Sequence, residues 1–170
     1  MNKKKIIFRT QWNSKARNPN KLWLDKNENN DIFLKKLHLN IIKKIKFSDI
    51  SAYPDLTETY KKVSIFLKLN KNKIFLTAGS DLAIKSIFEA FVLPGDKVLT
   101  TNPTYAMYRI YCKIFKAKNI SINYEFSKKK PYLDVEKLIL SIKKYKPKLI
   151  CIPNPDSPTG QIISKKNLEY

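Results

Sequence analysis

Apolar residues along this chain recur at two different spacings, which predict helices and strands in alternation. Helical spacing predicts helices over residues 32–46, 57–68, 81–92, 103–116 and 134–146. Shorter apolar runs between turn residues predict strands over residues 73–77, 98–101, 120–126 and 149–153, and a short strand or extended segment at residues 22–24. Residues 47–56 and 128–131 are predicted to be loops.

The alternation of strands with helices predicts an α/β fold. Strand–helix–strand units give a mostly parallel sheet with right-handed crossovers. Ser80 and Asp134 are predicted N-caps, because each is a short polar side chain at the start of a helical pattern. Only about four strands are present and the last has no following helix, so we expect a sheet that is incomplete at the C-terminus.

Polar loops flank these apolar segments, and in an open α/β sheet ligands bind outside the carboxyl ends of the strands. The loop Thr77–Asp81 fits either anion binding, with a close-approaching glycine and free helix N–H groups, or an ordinary strand-to-helix turn. Tyr105 fits either stacking on a planar ligand or core packing. Tyr53-Pro54 and Asn154–Gly160 likewise fit either a binding loop or a rigid turn.

The formal net charge of +20 raises the question of a polyanion partner. Lysine supplies 31 of the 34 basic residues and is scattered along the chain, whereas nucleic-acid readers favour the forked guanidinium of arginine. We therefore expect no nucleic-acid partner and attribute most of the charge to solvated lysines. An anionic substrate remains the alternative use of the charge.

Targeting and metal-binding signals are weak. No apolar run approaches the roughly 20 residues that span a bilayer, and residues 6–8 are too few for a signal-peptide core. We expect a cytoplasmic protein without a membrane partner. Cys112 and Cys151 fit neither a CxxC nor a zinc spacing and lie in apolar stretches, which predicts buried reduced thiols. His38 has no companion for a metal site, and none is expected.

Taken in order, the loops resemble those of the class I/II aminotransferases, which are fold-type-I pyridoxal-phosphate enzymes; the histidinol-phosphate aminotransferase branch is the most similar. The resemblance runs from about residue 22 to the end. It is carried by Leu24–Asn29, Tyr53-Pro54-Asp55, Gly79-Ser80-Asp81, Phe91–Asp96, Pro103–Tyr108 and the Pro-Thr-Gly that ends at Gly160. It implies the three-layer, mostly parallel large domain of these enzymes, with pyridoxal 5'-phosphate as cofactor.

In such enzymes the cofactor phosphate rests on the Gly-Ser-Asp turn, here Gly79, Ser80 and Asp81, largely through backbone N–H groups. The resemblance implies that Tyr105 stacks on the pyridine ring. The family usually has asparagine before Pro-Thr-Gly, donating a hydrogen bond to the phenolic oxygen of the cofactor. This sequence has Ser157 there, whose hydroxyl is a shorter donor.

Further implications concern the subunit contact and the substrate. Tyr53 would reach the cofactor phosphate of the neighbouring subunit, which implies a homodimer with shared sites. Asn27 and Glu28 would lie near the substrate entrance. The implied division of the chain is an N-terminal arm and first helix over residues 1–50, followed by the N-terminal part of a truncated cofactor-binding domain over residues 51–170.

The resemblance implies a transaminase that moves an amino group between an amino acid or amino phosphate and a 2-oxo acid, as histidinol-phosphate aminotransferases do. The lysine that binds the cofactor lies beyond Pro-Thr-Gly in this family, so no catalytic residue is assigned and the 170 residues alone are expected to be inactive. The alternatives are a pyridoxal-phosphate-dependent decarboxylase of a phosphorylated amino acid and a basic polyanion-binding module.

Overall fold

The computed structural model describes residue 21, residues 31–127 and residues 130–169. The predicted segment at residues 22–24 and the candidate residues Asn27 and Glu28 lie outside the described residues. The chain divides into two compact units. Among the described residues, we call those from Phe75 onward the sheet unit and those up to Ile74 the helical unit.

Helices come first among the described residues, and strands join them from residue 97 onward. The helices are α1 (Ile32–Ile42), α2 (Phe47–Ser51), α3 (Thr57–Leu67), α4 (Gly79–Phe91), α5 (Ala106–Ile114), α6 (Val135–Tyr145) and α7 (Lys165–Leu168), with a single 3-10 turn at Lys71–Lys73. The strands are β1 (Lys97–Asn102), β2 (Lys118–Asn123), β3 (Glu125–Ser127), β4 (Lys130–Tyr132) and β5 (Leu149–Cys151).

The sheet unit is built on a parallel sheet with the strand order β2-β1-β5. In the register of this sheet, Thr100 of β1 lies beside Ser121 of β2 and Cys151 of β5. Because the three strands run the same way, the loops that follow β1 and β5 leave from the same edge. The prediction of a mostly parallel α/β sheet is confirmed.

Helices cover both faces of β1, because its side chains alternate between the faces. On one face Val98 packs with Phe88 of α4 and Cys112 of α5. On the other face Leu99 packs with Leu138 of α6 and with Ile163. All of these side chains are buried, so the sheet unit has the three predicted layers.

The predicted single strand over residues 120–126 is wrong in detail. β2 ends at Asn123, beside the last residue of β1, and the buried Tyr124 separates it from β3. β3 then pairs antiparallel with β4, whose first two residues were predicted to lie in the loop 128–131. The Tyr132 hydroxyl donates to Glu125 at 2.6 Å, and Lys137 of α6 contacts the same carboxylate.

Other local predictions also need correction. The predicted strand over residues 73–77 is wrong, because Lys73 ends the 3-10 turn and residues 74–77 are not assigned to a strand. α2 occupies part of the predicted loop 47–56. The carboxylate of Asp49 accepts from the N–H of Lys46 at 2.8 Å, which supports the start of α2. The helix after β1 begins at Ala106 rather than near Pro103, and a short α7 follows β5.

Two local predictions are confirmed. The N-cap of α6 is Asp134, which accepts from the N–H of Lys137 at 3.1 Å. Both cysteines are buried free thiols.

In the helical unit, no side chain of the described residues 31–74 is buried, so the helices α1 to α3 present their apolar side chains to solvent. Within the part of the chain that the structure describes, no helix has the length and apolar character of a membrane span.

Candidate functional site

The N-terminus of α4 carries the first group of candidate residues. Gly79 has φ +80°, a left-handed conformation that side chains rarely adopt, and no atom lies within 4 Å of where a Cβ would stand. Ser80 is an exposed residue inside the first turn, so the prediction that it caps the helix is wrong. The N-cap is Ala78, whose side chain makes no capping hydrogen bond, and the N–H of Gly79 donates to the Thr77 carbonyl oxygen at 2.9 Å.

Asp81 joins this turn to the segment that begins α5. The hydroxyl of Tyr105 donates to Asp81 Oδ1 at 2.7 Å, and the hydroxyl of Tyr111 donates to the Asp81 carbonyl oxygen at 3.1 Å. These contacts are partly buried. The fold therefore brings three predicted site residues, Ser80, Asp81 and Tyr105, to one place.

Tyr105 also lies next to the side of the sheet where β5 ends. The ring of Tyr105 meets the ring of Tyr108 edge to face, with their centroids 5.9 Å apart. Burial raises the pKa of Tyr108 above its usual value, and Cys151 at the end of β5 and Asp156 add to the rise. Tyr105 and Tyr108 both pack against the buried cluster that includes Cys151, the last residue of β5. The loop that carries Ser157 therefore leaves the sheet near these two tyrosines.

The loop after β5 is closed by its own side chains. Asn154 makes a paired contact with Ile163, donating to its carbonyl oxygen at 3.1 Å and accepting from its N–H at 3.0 Å. Asp156 Oδ2 accepts from the Thr159 hydroxyl at 2.6 Å and from the Thr159 N–H at 3.1 Å. Ser157 is exposed at the tip between these contacts.

Beneath the loop lies a group of buried polar side chains: Asp156 is 4% exposed, Tyr124 5% and Thr101 0%. The Tyr124 hydroxyl lies close to Asp156, Thr159 and Thr101. Among the described residues, however, Tyr124 OH, Thr101 Oγ1 and Asp156 Oδ1 have no partner in full hydrogen-bond geometry. Burial raises the pKa of Tyr124, and the negative charge of Asp156 makes a smaller contribution in the same direction.

Tyr53 belongs to the helical unit, in the segment between α2 and α3, and its side chain is fully exposed. In the same segment Asp55 Oδ1 accepts from the N–H of Thr57 at 2.9 Å. The hydroxyl and then the N–H of Thr57 lower the pKa of Asp55. The placement of Tyr53 beside a cofactor stays a prediction, as do the roles of Asn27 and Glu28.

The sequence did not identify the residues that support the site loops by hydrogen bonds and buried polar contacts. These residues are Thr101, Tyr111, Tyr124, Asp156 and Thr159. The sequence contains one indication that Asp156 is buried, because prolines flank it shortly after an apolar strand. A buried carboxylate then needs hydrogen-bond partners within the protein. Tyr111 and Tyr124 carried none, since a tyrosine in an apolar segment fits simple core packing equally well.

The arrangement offers a set of groups suited to a flat anionic ligand. The N–H groups of the first turn and the Ser80 hydroxyl stand at the positive end of α4, where a phosphate is stabilised. Tyr105 supplies an aromatic face beside them, and Ser157 an exposed hydroxyl on the same edge of the sheet. These donors fit a phosphorylated aromatic cofactor.

A parallel sheet with helices on both faces and polar loops at its carboxyl edge defines a ligand-binding α/β domain. The chain matches the family of class I and II aminotransferases over residues 19–170, and it belongs to that family. This confirms the resemblance drawn from the loops.

Relatives and solved structures agree with the family. Histidinol-phosphate aminotransferase of Caldanaerobacter subterraneus subsp. tengcongensis is 34% identical over 152 residues, covering 88% of this chain and 42% of the relative. The structure of histidinol-phosphate aminotransferase from Clostridium acetobutylicum is 26% identical, with a TM-score of 0.62, covering 79% of this chain and 38% of that one. The Sinorhizobium meliloti enzyme in complex with pyridoxal-5'-phosphate shares the fold at a TM-score of 0.66 and 18% identity, covering 78% and 35%. The chain thus spans less than half the length of these proteins.

Proposed function

We propose that these 170 residues form part of a pyridoxal-phosphate-dependent aminotransferase, with histidinol phosphate or a similar amino phosphate as the amino donor and a 2-oxo acid as the acceptor. The observation that carries the proposal is the meeting of the α4 N-terminus with Tyr105 through Asp81, in a chain of the aminotransferase family. The identity to histidinol-phosphate aminotransferases supports the substrate class.

Each site residue then has a role set by its place. The N–H groups of the first turn of α4 and the Ser80 hydroxyl bind the cofactor phosphate, because the helix dipole favours an anion there. Tyr105 lies against the ring and holds it flat. When bound, pyridoxal phosphate supplies an electron sink for the carbon that loses a proton. Ser157 donates to the phenolic oxygen of the ring, directly or through water.

The remaining roles extend the proposal beyond this part of the chain. The lysine that binds the cofactor covalently and the groups that bind the substrate carboxylate would come from the portion of the relatives that these residues do not span. Asn27 and Glu28 would line the substrate entrance. Tyr53 would reach a phosphate held by a second subunit, so we propose a homodimer, working in the cytoplasm as expected from the sequence.

The proposal is tested by adding pyridoxal 5'-phosphate to the intact, cofactor-free protein. We expect saturable binding with a new visible absorption band, and consumption of a 2-oxo acid when histidinol phosphate is supplied. Release of carbon dioxide without consumption of a 2-oxo acid would instead identify a decarboxylase. Failure to bind the cofactor, together with nucleic-acid binding that weakens steeply with salt, would favour the polyanion-binding alternative.

A further inference from the structure

We propose that Asp81 is a positioning residue, whose carboxylate sets the orientation of the Tyr105 ring and so couples the phosphate-binding turn to the aromatic face of the site. The inference deepens the proposed function and rests on it, because ring orientation matters only for a planar ligand. The resemblance assigned Asp81 to the phosphate through its backbone; the side chain has a different task.

The contact itself is direct. The Tyr105 hydroxyl donates to Asp81 Oδ1 at 2.7 Å, the length of a good hydrogen bond between oxygens, and the contact is partly buried. A phenol that donates to an ionised carboxylate makes one of the stronger kinds of hydrogen bond. The two residues are 24 positions apart, so the bond joins two separate elements rather than neighbours in one turn.

The Asp81 side of the contact is fixed in place. The hydroxyl of Tyr111 in α5 donates to the Asp81 carbonyl oxygen at 3.1 Å. The Tyr111 ring is buried and packs on Phe88 of α4, with the ring centroids 5.7 Å apart. The first turn of α4 is therefore anchored to α5 at the residue whose carboxylate accepts from Tyr105.

The Tyr105 ring is held from other directions as well. Its edge-to-face contact with Tyr108 and its packing against the buried cluster around Phe88 restrict the ring on one side. The hydrogen bond at the hydroxyl then restricts rotation at the far end of the side chain. A ring held at both ends keeps one face available to a flat ligand.

The presence of the Asp81 carboxylate at a helix end that would bind an anion has to be explained, because like charges repel. An ionised carboxylate accepts hydrogen bonds and donates none, so it cannot bind a phosphate directly. Its engagement with a phenol explains its presence in the first turn of α4, and it assigns the phosphate to the backbone N–H groups and to Ser80.

Two variants of the intact, cofactor-free protein test the idea. Asp81→Asn removes the charge but keeps an acceptor oxygen for Tyr105, whereas Asp81→Ala removes both. The probes are inorganic phosphate, and pyridoxine 5'-phosphate, which carries the ring and the phosphate but no aldehyde for a covalent bond. Dissociation constants are measured by titration calorimetry.

We expect the two variants to bind inorganic phosphate equally, because any electrostatic gain from losing the charge is common to both. Asp81→Ala should bind pyridoxine 5'-phosphate about tenfold more weakly than Asp81→Asn, the effect of losing one hydrogen bond. Tyr105→Phe, which keeps the ring and loses the donor, should show about the same loss relative to the unaltered protein. The double variant Asp81→Ala with Tyr105→Phe should bind no worse than Asp81→Ala alone.

Glu89→Ala is the matched control, because Glu89 is an exposed acid of the same helix that pairs with Lys85 at 3.0 Å. It should leave both affinities unchanged. Equal binding of pyridoxine 5'-phosphate by Asp81→Ala and Asp81→Asn would overturn the inference, as would a parallel loss of inorganic phosphate binding in Asp81→Ala alone. Should Asp81→Ala not fold, unchanged binding by Tyr105→Phe would overturn it. If the unaltered protein binds neither pyridoxine 5'-phosphate nor pyridoxal 5'-phosphate, the proposed function fails, and this inference with it.

Discussion

Cys112 and Cys151 show at the scale of single residues how the core affects ionisation. Both thiols lie in the buried cluster between α4, α5 and the sheet. Burial, with a smaller contribution from Cys112, raises the pKa of Cys151 from 9.0 to about 12. Burial raises the pKa of Cys112 as well, although a contact from Asn119 opposes the shift. Both thiols are protonated at neutral pH and are poor nucleophiles.

The raised pKa of Cys151 gives stability a definite dependence on pH. The folded state holds the thiol proton more tightly than the unfolded chain, so this contribution is complete below pH 9.0 and is lost as the pH rises toward about 12. We predict that the free energy of unfolding falls less steeply over this range in Cys151→Ala than in the unaltered protein. Urea unfolding of the intact protein at a series of pH values measures both slopes.

The matched control for this measurement is Lys166→Ala, a substitution at an exposed position of α7 that leaves both cysteines in place. It should leave the slope as it is in the unaltered protein, so that the general titration of lysines and tyrosines is accounted for. Identical slopes in Cys151→Ala and the unaltered protein would show that the thiol is not shielded in the folded state.

At the scale of elements, the loop after β5 depends on Asp156 and Thr159. We predict that Thr159→Val lowers the free energy of unfolding by about 2 kcal/mol, because it leaves a buried carboxylate short of a donor. In an Asp156→Ala background the same change should cost less than half as much. Chemical denaturation of the four proteins of this cycle gives the coupling.

Ser157→Ala is the control for the loop, since Ser157 is exposed at its tip. A surface change of this kind should alter the free energy of unfolding by no more than about 0.5 kcal/mol. If the effects of Thr159→Val and Asp156→Ala simply add, the two side chains do not support each other and the loop is held by its backbone alone.

The elements that the sequence predicted well are those specified by neighbours along the chain. α6 begins after Asp134 because the capping side chain and the helical spacing act within one turn. The break between β2 and β3 and the pairing of β3 with β4 were missed, because they depend on where the buried Tyr124 ends the β1–β2 ladder. Residues 74–77 had the apolar pattern of a strand but are not assigned to one, and a local apolar pattern does not by itself specify strand pairing.

The candidate site likewise contains residues that could be predicted from local motifs and contacts that could not. Gly79, Ser80, Asp81 and Tyr105 were predicted from loop motifs, although the sequence placed Ser80 outside the helix instead of in its first turn. The hydrogen bond from Tyr105 to Asp81 was not predictable, because it spans two elements and depends on how α4 and α5 pack. The buried polar group around Asp156 likewise joins the ends of separate strands.

At the scale of the whole molecule, two surface properties act against each other. The helical unit exposes large apolar side chains, among them Phe33 at 73%, Phe47 at 83% and Phe66 at 84% exposure. Apolar surface of this extent favours association. The net charge of +20 opposes it, because positively charged copies repel one another.

Salt decides between these two effects, since it screens the repulsion and leaves the apolar attraction in place. The Debye length falls from about 30 Å at 0.01 M to about 3 Å at 1 M ionic strength. We predict that the 170-residue chain, expressed by itself, associates increasingly as salt is raised over this range, as measured by sedimentation velocity. Replacing Phe47 and Phe66 with serine should reduce the association, whereas replacing the exposed lysines Lys61 and Lys62 with serine should increase it at low salt. A single monomeric species throughout would mean that the exposed apolar side chains do not drive association.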